Sequence, residues 1–178
     1  LHRQSELIKS LISPVLEKSM RIRRSSVIFV SIVAALVLQI TPMPIQADLY
    51  RPDWVVLALA YWTMALPSRV NVGVAFICGL ALDVLLGTAL GVHSFALSIS
   101  IYVLAANYQR LRNYSVWQQA IVIALLGALY HLVLFWLQHL MTSIYFQFDY
   151  LWPVVTSMLI WPWVSWLLRR TRRRFKVT

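Results

Sequence analysis

Asp83 is the one carboxylate deep inside an apolar run of this chain, and its neighbours give it context. Gly79, Asp83, Gly87 and Gly91 recur every four residues. On a continuous helix that spacing keeps successive members near one face, drifting by about 40° per step. Small residues at this interval let two helices approach closely inside a membrane. Gly87 and Gly91 also suit a tight turn into the next segment. A carboxylate at the centre of a bilayer costs about 2.5–3.5 kcal/mol on insertion scales, so it faces protein and is a functional candidate. Asp83 lies about one helical turn, roughly 5–6 Å, before the end of its run, where the cost is smaller. Two roles stay open: a polar anchor for neighbouring or partner helices, and an internally paired structural aspartate. His93, just past the turn, is the first candidate for its partner, and His131 is the second.

The remaining chemistry-bearing residues are sparse. His131 and His139 are eight apart and share a helix face, but two histidines without a close third ligand make a poor zinc site. Cys78 is the only cysteine, so no intrachain disulfide and no cysteine-based metal site can form. There is no HExxH, P-loop or GxSxG pattern. Ser94, Ser98 and Ser100 have no positioned base, and hydroxyls in membrane helices pack at contacts or bond to backbone. No catalytic residue, metal or cofactor is therefore expected. Gln118 and Gln119 are placed to hydrogen-bond between helices. Pro67, Arg69 and Asn71 form a short turn that is expected to cap helix ends.

These residues need helices to position them, and the composition says where those helices lie. Of 178 residues, 60% are hydrophobic and 12% are charged. A soluble domain has about 45–50% apolar and about 25% charged residues. Mean hydropathy is +0.71. The fold class expected is all-α, a polytopic transmembrane bundle. Apolar segments occupy 26–40, 54–66, 70–86, 89–107, 116–140 and 153–168. A spanning helix needs about 20 residues. The second segment is short, bounded by Pro52 and Pro67, so five spans plus a re-entrant segment is the alternative count.

The net charge of +10 is distributed by side, not as a nucleic-acid face. With six spans, twelve lysines and arginines fall on one side: Arg21, Arg23, Arg24, Arg69, Arg110, Arg112 and the tail from Arg169 to Lys176. Only Arg51 falls on the other, leaving out Arg3, Lys9 and Lys18. That asymmetry predicts both termini in the cytoplasm. The tail follows an apolar run directly and reads as attracted to anionic lipid. Trp54, Trp117, Trp152, Trp161, Trp163 and Trp166 lie near segment ends, where indole rings favour the interface. Pro162 falls inside the last segment, where it removes a backbone bond. The outer loops 41–53 and 141–152 are too short to fold as separate domains, so external chemistry belongs to a partner.

Residues 1–19 differ from the rest and hold both glutamates, Glu6 and Glu17. Met20 precedes Arg21, Arg23, Arg24 and the first apolar run, as a membrane protein with a cytoplasmic N-terminus begins. Residues 1–19 are thus expected to be a non-native or disordered extension, and 20–178 a single integral membrane domain.

Several stretches together resemble the bacterial rod shape-determining MreD family. They are Arg51-Pro52-Asp53-Trp54, the run from Ala65 to Gly73, and Gly79 through Gly91 centred on Asp83. Trp117-Gln118-Gln119-Ala120 and Trp161-Pro162-Trp163 match the proteobacterial form. The resemblance covers residue 20 onward. It implies a non-catalytic membrane component of the rod complex, or elongasome, in the bacterial inner membrane. The family associates with MreC, a single-span protein with a periplasmic domain, and so with filaments of MreB. The same assembly holds the glycosyltransferase RodA and a penicillin-binding transpeptidase. The family's fold is similar to the substrate-binding subunits of energy-coupling-factor transporters, which makes a solute-binding transporter subunit the alternative function. Asp83, His93, His131 and Tyr130 would line its pocket. The resemblance supplies no catalytic residues, and the partner contact is expected on the face of Gly79, Asp83, Gly87 and Gly91 with His93.

Overall fold

The computed structural model describes residues 26–42, 44, 50–141 and 152–174. The expected 1–19 extension, the Met20 start, the cations Arg21, Arg23, Arg24 and Lys176, residues 43 and 45–49 of the first outer loop and 142–151 of the second lie outside these residues. Among the described residues the chain forms seven helices and no strand. They are α1 (Ser26–Ile40), α2 (Trp54–Ala65), α3 (Val72–Leu86), α4 (Val92–Ala106), α5 (Tyr108–Leu111), α6 (Val116–Met141) and α7 (Trp152–Arg174).

Local sequence accounts for most of the boundaries. Asn71 caps α3, its side-chain oxygen accepting from the N–H groups of Gly73 at 3.1 Å and Val74 at 3.4 Å. Ser115 and Gln118 form a reciprocal box at the start of α6: the Ser115 N–H donates to Gln118 Oε1 at 3.0 Å, and the Gln118 N–H to Ser115 Oγ at 3.4 Å. Arg51 donates to the carbonyls of Gln39 and Thr41, placing a cation on the C-terminal end of α1. Two differences from the sequence reading stand out. The fourth segment begins at Val92 rather than residue 89, because Gly87 to Gly91 are spent on a turn. The last helix does not end at 168 but continues through the basic tail to Arg174. Arginine is a good helix former, and cations are favoured at a helix C-terminus.

The core is built around α2. Every residue from Val55 to Met64 is buried, and a helix that is apolar all round belongs in a core. Trp62 is fully buried, and its indole N–H donates to Ser31 Oγ on α1 at 2.7 Å. Around α2 stand α4, α6 and α7, with α3 packed on α4. The outer surface is apolar: Phe29, Ile77, Leu125, Trp136 and Leu140 are all largely exposed. Asp53, Asp83, His93, Ser94, Gln119 and Ser157 are buried. Polar groups inside and apolar groups outside match a lipid environment, not an aqueous one. Among the described residues one helix, Val116–Leu140, is by length and composition able to cross a membrane alone. The other apolar helices are shorter; α2, with 12 residues, extends about 18 Å against about 30 Å of hydrocarbon.

Helices α3 and α4 approach closely, and Gly79 permits it. A Cβ at Gly79 would lie 2.3 Å from Ser94 Cα and 2.6 Å from Ser94 N, both backbone atoms that cannot swing aside. Gly79→Ala is therefore expected to lower stability by about 1–3 kcal/mol. Equilibrium unfolding in detergent measures it, and a variant as stable as the parent would contradict the close approach.

Candidate functional site: two buried carboxylate–histidine pairs

Asp83 lies in the last turn of α3 and is completely buried. Its backbone carbonyl accepts from the N–H groups of Gly87 and Thr88, and Gly87 takes the left-handed conformation (φ 65°) that closes the helix. Its side chain then serves the start of α4. Oδ2 accepts from the Gly91 N–H at 2.9 Å, from Ser94 Oγ at 3.0 Å and from the Ser94 N–H at 3.4 Å. Oδ1 accepts from the His93 N–H at 2.9 Å and from Thr88 Oγ1 at 3.1 Å. His93 Nδ1 stands 2.8 Å from the same oxygen. Only a donor fits there, so the His93 ring carries a proton on Nδ1.

Gly91, at the N-cap position with φ 106°, has no side chain to cap α4. The cap comes instead from the preceding helix. A negative group at a helix N-terminus is favoured by the leading N–H groups and the dipole. The carboxylate's lone pairs are fully used, so it has little capacity left for a ligand. The Gly79 and Asp83 face that the sequence assigned to a partner helix is filled here by α4. Gly87 stands at its rim, where an added Cβ would meet nothing within 4 Å.

A second pair lies one helix away. Asp53 precedes α2 at the position where a carboxylate ordinarily caps its own helix, but its side chain makes no such bond. It turns to α6, where His131 Nε2 lies 2.8 Å from Asp53 Oδ2. The Asp53 N–H donates to Ser157 Oγ on α7 at 2.9 Å. Asp53 thus ties the head of α2 to both α6 and α7. His131 had been placed as the second candidate for Asp83; its partner is Asp53. Tyr130 packs edge-on to His131, with ring centroids 5.2 Å apart, and is buried.

The other expected residues fall apart from these pairs. His139 stacks on Phe135. Gln119 is buried and donates to the carbonyls of Leu111 and Tyr114. Pro67, Arg69 and Asn71 form the turn between α2 and α3, with Asn71 as the cap. Ser100 bonds back to the Ala96 carbonyl. Among the described residues, no three His, Cys, Asp or Glu side chains cluster as a metal site would require. Asp53, Ser157 and the Trp62–Ser31 bond were missed from sequence. From sequence Asp53 belongs to a resembling stretch and falls outside or at the outer boundary, and no local pattern distinguishes it from an ordinary N-cap.

Fold and site define an all-helical membrane protein whose interior polar groups are spent on holding helices together. The profile of the rod shape-determining protein MreD matches residues 20–171. The rod shape-determining protein MreD of Haemophilus influenzae is 38% identical over 145 residues, 82% of this chain and 90% of the relative. The chain belongs to the MreD family, a family of rod shape-determining membrane proteins. No solved structure matches it, so the expected likeness to energy-coupling-factor subunits gains no support.

The pairs make a quantitative forecast. Asp83→Asn and His93→Gln should couple by about 0.5–3 kcal/mol in a double-mutant cycle of unfolding, as should Asp53→Asn and His131→Gln. The crossed combination of Asp83→Asn with His131→Gln should be additive within about 0.5 kcal/mol. Strong coupling in the crossed cycle would reassign the pairs.

Proposed function

We propose that this chain is a non-catalytic, multi-pass scaffold of the bacterial rod complex, binding MreC and through it linking MreB filaments to lateral peptidoglycan synthesis by RodA and a penicillin-binding transpeptidase. Membership of the MreD family is the observation that carries this reading. The interior supports it, because the two buried carboxylates among the described residues, Asp53 and Asp83, are engaged within the chain and act as structural ties. The helices form six membrane segments in this reading, with both termini in the cytoplasm. Short helices such as α2 do not cross the full bilayer by themselves and sit in it as part of the bundle, packed against α4, α6 and α7. Twelve-to-one sidedness of lysine and arginine supports the orientation.

The MreC contact belongs, in this reading, on the rim of the α3–α4 hairpin. Gly87, Val84 and Leu90 are exposed there, and Gly79, Asp83, Gly91 and His93 shape the rim from beneath. Depletion of the protein should convert rods to spheres. Gly87→Leu and Leu90→Ala should still insert into the membrane but retain much less MreC on co-purification. Leu90→Ala adds no backbone strain, so its loss of MreC separates contact from folding. Unchanged cell shape on depletion, together with full MreC recovery from both variants, would remove the proposal.

A further inference from the structure

Helix α7 has one side in the bundle and one side outside it. Val154, Ser157, Trp161 and Ser165 are buried. Val155, Leu159, Trp163, Trp166, Arg170 and Arg174 are exposed. At 3.6 residues per turn these six fall within about 100° around the axis, so they form one stripe. Its character changes along the helix: aliphatic at Val155 and Leu159, aromatic at Trp163 and Trp166, cationic at Arg170 and Arg174. Pro162, Trp163 and Trp166 line an open pocket of about 320 Å³, where Pro162 has no N–H for the helix ladder. The two indoles are 76% and 57% exposed, so both rings face away from the protein. Arg170 lies over the Trp166 ring, 5.4 Å from its centroid. That cation–π contact holds the guanidinium beside the pocket. Asp53 and Asp83 are tied to histidines, and neither Arg170 nor Arg174 pairs with a described carboxylate.

The order of groups along this stripe is the order along a phospholipid: acyl chain, glycerol ester, phosphate. Indole rings favour the depth of the ester groups. Arg170 and Arg174 are four apart and share a side of α7. Two like charges one turn apart repel, and an anion between them reverses the sign of the interaction. The planar guanidinium fork matches phosphate oxygens in paired hydrogen bonds. Trp163 and Arg170 are separated by about 10 Å along the axis, which lets one molecule touch both. A partner membrane helix fits the stripe less well. Close helix contacts use small side chains, whereas the small Ser157 and Ser165 of α7 face the bundle and its outward side chains are bulky. The cationic end is cytoplasmic in the orientation read from loop charges, where arginines meet anionic head groups.

We propose that the outward stripe of α7 binds one anionic phospholipid, with Arg170 and Arg174 holding its phosphate and Trp163 and Trp166 packing on its ester region and upper acyl chain. The full chain in detergent is titrated separately with short-chain phosphatidylglycerol, with phosphatidylcholine of equal chain length and with inorganic phosphate. Native mass spectrometry reads occupancy and oligomeric state. Phosphatidylglycerol should bind at least about tenfold more tightly than phosphatidylcholine. Replacing Arg170 and Arg174 together by Gln should weaken phosphatidylglycerol by at least about tenfold and remove most of that preference. Replacing Trp163 and Trp166 by Ala should weaken both lipids by at least about threefold. Trp117→Ala with Arg110→Gln removes an exposed indole and an exposed cation elsewhere on the chain. That control should cost less than about threefold.

Equal binding of the two lipids, or a control that loses as much as the arginine pair, would overturn the proposal. Inorganic phosphate that binds as tightly as phosphatidylglycerol would overturn it in favour of a free anion. A dimer that forms without lipid preference and is lost in the tryptophan variant would overturn it in favour of a second copy of the chain. If the arginine pair is not monodisperse, Arg170→Gln alone decides: a loss of at least about threefold is expected, and no loss overturns the proposal. The measurement reads lipid binding alone, so its failure leaves the scaffold reading standing.

Discussion

A single carboxylate closes one helix and opens the next. The backbone carbonyl of Asp83 receives the terminal N–H groups of α3, while its side chain receives the leading N–H groups of α4. In lipid no water stands ready for such groups, so every one must be satisfied by protein. The turn from Gly87 to Gly91 is short because Asp83 does the capping across it. Gly79, one helical turn earlier, lets the two backbones come close enough for that reach. Substituting either residue therefore acts on the same contact from two directions. The α3–α4 hairpin then presents buried Ala96, Leu97, Ile101 and Leu104 of α4 to the core.

The Asp53–His131 pair solves a related problem for α2. A helix of 12 residues cannot reach both faces of a bilayer, so at least one of its ends lies in low dielectric unless other helices cover it. Asp53 marks one such end, and its contacts run to α6 and α7 rather than back into its own helix. An unpaired buried carboxylate would be strongly destabilising, and removing one member of a buried pair typically costs about 3–5 kcal/mol. Both pairs use histidine instead of lysine or arginine. Imidazole can donate while neutral, so the interior carries fewer formal charges than two full salt bridges would require.

The helical class, the approximate positions of the helices and the burial of Asp83 against protein were legible from residue types and spacing. Asp83 stood out because a carboxylate in an apolar run is rare, and His93 because a tight glycine turn brings near neighbours together. The pairing of Asp53 with His131 was not legible, since 78 residues separate them and only the packing of α2 against α6 joins them. Helix α7 runs past the apolar span 153–168 because hydropathy marks where an apolar run stops, whereas helix propensity and dipole decide where the helix stops. The short α5 left no apolar signal. Its place is fixed by Gln119 reaching back to the Leu111 carbonyl, a contact that depends on how the turn before α6 folds.

The two ends of the bundle consequently differ in kind. At one end Asp53 and Asp83 are internal, each matched to a histidine, and the cation Arg51 donates to the last carbonyls of α1. At the other end arginines project from α7 and from the turn after α5 around the buried Tyr61 ring. Loop counting detects this asymmetry as a topology rule, but the fold adds a reason for it to persist. The acidic end gains nothing from extra cations, because its carboxylates are already used as helix ties. A protein whose interior polarity is structural must work through its surfaces, and this one presents an apolar belt with a strongly positive end.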